Sequence, residues 1–232
     1  MANVMGGAGA FVPTCQVLPP GIFGYAPYCP YTSGSTTSGT WTGPDLRRAR
    51  ALVKTSGTQG DRVVVWAWGG SPSRLLIPSI LHALDRIGYR ASAHITPPNG
   101  AGFGEWNDAA NNSNRRVSAV LTGWAADYPN PIDFLDLLLS CRAYVPGTTT
   151  NLNTAELCDA TLDGLIAKAE AIQVRDPARG AALWQEADRR AVDVAAWVPL
   201  LNNVSTDVLS SRVGNYQHNA EWSVLLDQLW VR

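Results

Sequence analysis

Apolar and polar positions along the chain follow two rhythms, and each predicts a different kind of element. Leu46, Ala49, Leu52 and Val53 recur at helical spacing between Gly43-Pro44-Asp45 and Gly57, which predicts a helix over 45–57. Residues 62–68 form an unbroken β-branched and aromatic run, the pattern of a buried strand. Gly69-Gly70-Ser71-Pro72 turns the chain into a helix over 73–87, with Leu76, Ile80, Leu84 and Ile87 inward and Gly88 as its stop. Residues 89–96 read as the next strand. Strand, helix and strand with short joints predict a βαβ unit, hence parallel pairing through a right-handed crossover.

Beyond it the rhythm lapses. Residues 97–115 are polar, with two prolines and several asparagines, and read as a loop. The Gly100-Ala101-Gly102-Phe103-Gly104 stretch inside it follows Pro97-Pro98 rather than a strand end, so it reads as mobile loop and not as a dinucleotide fingerprint. A third strand is predicted over 116–122 and a short apolar helix over 132–140. A helix over 159–174 is expected to bury Leu162, Leu165, Ile166, Ala169 and Ile172. Asp176-Pro177 is an N-cap with proline in the first turn, starting a helix that runs to about 195 with Leu183, Ala187, Ala191 and Val194 on one stripe. Closing strands are expected at 197–202, 207–213 and 222–230, and residues 1–40 show no periodic segment. The fold class is α/β: a mixed, mostly parallel sheet flanked by helices.

Composition narrows the function. The 232 residues suffice for one sizeable core, 46% of them are apolar, and only 16% are charged. A net charge of −1 provides no electrostatic footprint for nucleic acid. Cys15, Cys29, Cys141 and Cys158 form two local couples without CxxC spacing or a nearby histidine, which argues against zinc. Two short-range disulfides are the favoured reading, with four buried free thiols as the alternative; disulfides would place the protein outside the cytosol. The N-terminus carries no secretory signal pattern, so the chain is expected to be a piece of a longer protein. His82, His94 and His218 read as packing or surface residues. No metal or cofactor is called for.

Residues 123–131 (Gly-Trp-Ala-Ala-Asp-Tyr-Pro-Asn-Pro) stand apart. They follow an apolar strand, at the carboxyl end where open α/β sheets bind ligands. Prolines fix the backbone, so Asp127 is held ready for a cationic group, and Trp124 and Tyr128 offer aromatic faces.

This segment resembles the hallmark stretch of the family 5 extracellular solute-binding proteins of ABC importers, which include dipeptide- and oligopeptide-binding proteins. The resemblance continues in order through Leu18-Pro19-Pro20-Gly21 with Gly24-Tyr25, and through the helix at 45–57. It goes on through residues 159–163, Arg175-Asp176-Pro177, Val198-Pro199-Leu200 and residues 211–216. It implies a two-lobed binding protein of the type II periplasmic-binding-protein-like fold, of which residues 1–197 would form the C-terminal lobe. Residues 198–232 would be strands returning to the first lobe. It implies a disulfide at Cys141 and Cys158, and pairing of Asp127 with the α-ammonium of a bound peptide, Trp124 beside it in the cleft. It further implies an extracytoplasmic, lipid-anchored or periplasmic protein, monomeric when intact, that docks on a membrane permease and is not an enzyme. Two alternatives remain open. The same family also holds binders of sugars, opines and metal complexes, for which Trp124, Trp106 and Tyr128 would stack on a ring. A small α/β hydrolase using Asp127 with His94 or His218 lacks a nucleophile motif.

Overall fold

The computed structural model describes residues 1–34, 39–111, 117–148, 150–219 and 223–232. After a short N-terminal strand, β1 (Phe11–Pro13), and helix α1 (Leu46–Thr55), the chain builds β2 (Arg62–Trp68), α2 (Ile77–Ile87) and β3 (Arg90–Thr96). Next come α3 (Gly100–Asn111), β4 (Ala119–Val120), and a π-helical turn (Ile132–Asp136) that runs into the single turn α4 (Leu137–Leu139). Two longer helices follow, α5 (Ala160–Ile172) and α6 (Pro177–Asp193). The chain ends in short strands: β5 (Leu201–Asn203), β6 (Val213–Gly214), β7 (His218–Asn219), β8 (Ser223–Val224) and β9 (Trp230–Val231).

The βαβ expectation holds. β2 and β3 pair in parallel from Arg62 with Arg90 to Trp68 with Thr96, and β4 joins the other edge of β2 in parallel. Val65, Ala67 and Ile77 are buried, with Ile80, Leu81 and Leu84 of α2 packed against them on one face of the sheet. A second, larger core joins Leu18, Phe134, Leu135, Leu138, Leu139, Leu162, Ile166 and Trp184. Here α5 and α6 lean on the π-helical turn, and the segment after β1 covers them.

That covering segment depends on Asp188, a carboxylate inside α6 that is 2% exposed. Its oxygens accept hydrogen bonds from the Val17 and Leu18 amides at 3.1 and 3.2 Å and from Gln16 Nε2 at 2.7 Å. Gln16 Oε1 in turn accepts from the Tyr28 amide. Residues 1–40, featureless by periodicity, therefore supply core residues through one buried polar knot.

Several elements differ from expectation. Residues 100–111 are helical: Asn99 accepts from the Gly102 amide through its side chain and from the Phe103 amide through its carbonyl. A Cβ at Gly102 would lie 2.0 Å from the Pro97 carbonyl oxygen, so glycine is what lets this helix seat on the Pro97 turn. The third strand shrinks to Ala119–Val120, although the Leu121 amide still donates to the Trp66 carbonyl; residue 116 lies outside the described residues. The closing strands are short antiparallel ladders, β1 with β5, β6 with β9 and β7 with β8; residue 222 also lies outside the described residues. Val208, for example, is 93% exposed, so no layer covers 207–213 as a buried strand. On α1 only Val53 is buried, and Leu52 is 57% exposed. The buried stripe of α6 is broader than expected and includes Gly180, Trp184 and Asp188 as well as Ala187 and Ala191.

Candidate functional site

Parallel pairing carries β2, β3 and β4 to a common carboxyl edge, and residues 121–131 leave the sheet there. Their course is set by the turn that follows. Asn130 accepts from the Ile132 amide through its side chain and from the Asp133 amide through its carbonyl. The buried Pro131 carbonyl accepts from the Phe134 and Leu135 amides. Phe134 and Leu135 are core residues, so this turn is anchored from below. Asp133, fully buried, aims one carboxylate oxygen back at the segment. That Oδ2 accepts from Trp124 Nε1 at 3.1 Å and from the Asp127 amide at 2.8 Å.

The Asp127 side chain is exposed, and among the described residues no cation pairs with it or with Asp133. Asp136, three residues on from Asp133, is instead neutralised by Arg142, which also reaches Glu170 at 3.1 Å. Burial first, and then the charges of Asp133, Asp136 and Asp127, push the Tyr128 phenol above its ordinary value. Among the described residues the site thus carries two carboxylates with no cation beside them, an arrangement that suits a positively charged group.

Beside it opens a cavity of about 210 Å³ walled by Trp106, Trp124, Trp197, Leu138 and Leu152, with Asn107 and Asn151 among its polar groups. Trp106 reaches it from α3, where Phe103 sits edge-on to Trp68 and tilted against Trp106 at centroid distances of 5.2 and 5.8 Å. Of the four residues singled out from sequence, Trp124 and Trp106 share this cavity. Asp127 and Tyr128 do not line it; they lie along the chain at its Trp124 side. His94 stacks on Trp66 at 4.0 Å and bonds Glu105, and His218 faces Asp207 at 3.4 Å, so neither is joined to Asp127 as a hydrolytic pair would be. Among the described residues no group of three or more metal-ligating side chains occurs, and no helix is long and apolar enough to cross a membrane.

No protein-family model matches the chain. Di/tripeptide-binding protein 4 of Pseudomonas aeruginosa is 28% identical over 225 residues, 94% of this chain and 38% of that protein. Probable di/tripeptide-binding protein 5 of the same organism is 30% identical over 181 residues, 75% of this chain and 31% of its own length. In fold, the chain overlays clavulanic acid biosynthesis oligopeptide binding protein 2 with a TM-score of 0.78 at 22% identity, covering 99% of this chain and 40% of that one. Over most of its length the chain is similar to part of these peptide-binding proteins. It spans under two-fifths of the length of the curated relatives it matches.

The cysteines form two local disulfides, Cys15–Cys29 and Cys141–Cys158, with Cα separations of 5.0 and 4.3 Å, and none is free. The second bridge closes a loop whose polar run is structural. Asn153, fully buried, donates to the Ser140 and Leu157 carbonyls and accepts from the Leu157 amide, while Asn151 accepts from Val145 and walls the cavity. Three residues of the site escaped the sequence reading. Asn151 lay in what looked like a plain turn, and Trp197 at the start of an expected strand. Asp133 did leave a signal: it is an acid flanked by Ile132, Phe134 and Leu135 in an apolar run, where burial demands a hydrogen-bonding reason.

Proposed function

We propose that the chain forms the C-terminal lobe of a peptide-binding component of an ABC importer, in which Asp127 captures the α-ammonium of the ligand. The observation that carries this reading is the exposed Asp127 carboxylate, without a cation partner among the described residues, beside a cavity walled by three tryptophans. An ammonium would pair with the carboxylate, and an apolar or aromatic ligand side chain would fill the tryptophan cavity. Function is capture and closure rather than chemistry, the closed cleft being presented to a membrane permease. Residues 198–232 return to the other lobe. The two disulfides and the absence of free cysteines fit an extracytoplasmic protein held at the membrane by a lipid or retained in the periplasm.

The test is a ¹H–¹⁵N NMR titration of the 232-residue chain with Ala-Phe. Shifts are expected at the Asp127 amide and the Trp124 indole, and N-acetylated Ala-Phe should lose them. Asp127→Asn should weaken binding by up to about fivefold on this open lobe, since an exposed charge pair contributes at most ~1 kcal/mol. Closure by a second lobe would raise that loss to roughly 2–5 kcal/mol. Equal responses to free and acetylated dipeptide would remove Asp127 from the capture role.

A further inference from the structure

Asp133 combines three features not found together elsewhere in the described chain. It is a fully buried carboxylate, it has no cation partner among the described residues, and only one of its oxygens is bonded. Buried Asp188, by contrast, has both oxygens occupied, and Asp136 has an arginine. Burying an uncompensated carboxylate is costly, and a fold that needed only an apolar filler between Pro131 and Phe134 would have no use for it. What Asp133 does is join two groups that sequence keeps three residues apart. Its Oδ2 holds the Trp124 indole, which forms a wall of the cavity, and the main chain of Asp127, whose side chain faces solvent.

We propose that Asp133 is the positioning residue of this site: its single bonded oxygen fixes the Trp124 indole and the Asp127 backbone relative to each other, and so sets the distance between the aromatic pocket and the ammonium-binding carboxylate. The inference rests on the reading of Asp127 given above. The backing of Asp133 is rigid, because its own amide is held by Asn130 and its neighbours Phe134 and Leu135 are core residues. A side chain locked by core packing transmits position with little loss, which is what a binding constellation requires.

The experiment compares Asp133→Asn and Asp133→Ala in the full 232-residue chain, using the Trp124 indole resonance, assigned with Trp124→Phe, and Ala-Phe binding. Asparagine keeps an oxygen that both donors can reach, so it should retain the indole and Asp127 amide resonances and bind within about twofold of wild type. Alanine should shift both resonances and weaken binding as much as Asp127→Asn, and the two changes combined should cost no more than either alone. A folded Asp133→Ala chain with unmoved resonances overturns the proposal. If Asp127→Asn weakens binding but Asp133→Ala does not, positioning fails and capture by Asp127 stands. If Asp133→Ala moves the Asp127 amide while Asp127→Asn leaves affinity unchanged, positioning stands and capture fails. Should the alanine variant not fold, hydrogen exchange in the wild type decides: the Asp127 amide and Trp124 indole protons should be strongly protected, and rapid exchange at both refutes the tie.

Discussion

Replacing Asp188 by alanine would cut the knot that holds residues 16–28 onto α6, and its effect on stability should depend on pH in a calculable way. Two buried main-chain donors, Val17 N–H and Leu18 N–H, would lose their acceptor, as would Gln16 Nε2. Each orphaned backbone donor costs about 1–3 kcal/mol, so the gross loss is roughly 2–6 kcal/mol. Against this stands the burial of the carboxylate, which pushes Asp188 from 3.8 up to about 6 despite the opposing hydrogen bonds from Leu18, Gln16 and Val17. A rise of that size corresponds to on the order of 3 kcal/mol of penalty once the group is ionised. The sign follows from proton binding. Between about pH 4 and 6 the folded chain holds a proton on Asp188 that the unfolded chain has released, so the Asp188 contribution is full below the unfolded value and is lost as pH rises through 6. Alanine has no such term. The wild type should therefore exceed Asp188→Ala by little at pH 7 and by about 2–3 kcal/mol more near pH 4. Asp159, held near 2 chiefly by its bond from Arg190, titrates alike in both proteins and cancels from the comparison. Urea unfolding with disulfides intact, followed by tryptophan fluorescence at several pH values from 4 to 7, provides the difference directly. A gap between the two proteins that does not change with pH would refute the account of Asp188 as a buried, reluctantly ionised acid.

Two further predictions concern the same core and the site's rim. Gly24 has φ +79°, and a Cβ there would lie 2.6 Å from the Trp184 Cβ, so Gly24→Ala should destabilise by at least ~1–3 kcal/mol in calorimetry, whereas Gly57→Ala, with nothing near it, should cost only its backbone strain. Removing the Cys141–Cys158 bridge with paired serines should lower unfolding free energy by roughly 3 kcal/mol in urea, since it closes a loop of 17 residues. An unchanged midpoint would mean that the Asn151 and Asn153 hydrogen bonds alone hold that loop.

Features that neighbouring residues settle among themselves were readable before the chain was folded. The βαβ unit was legible because the run at 62–68 and the spacing over 73–87 each bury one face. The caps at Asp45, Asp159 and Asp176 bond amides only three residues ahead. The ordered motifs around Asp127 pointed to the family for the same reason: they are short and contiguous. Even α3 left a local sign in Asn99, overridden in the reading by the glycines that follow. The tertiary structure decided everything that depends on a partner far along the chain. Gln16 and Asp188 are 172 residues apart, and no periodicity in either segment specifies the other. The two local cysteine bridges were the favoured reading of the sequence, but free thiols were excluded only when the folded backbone set the Cα separations. The cavity unites Trp106, Trp124 and Trp197 from three separate segments. The physical reason is common to all three cases: local hydrogen bonding and burial period are properties of a short stretch, but the partner of a buried polar or aromatic group is chosen by packing in three dimensions.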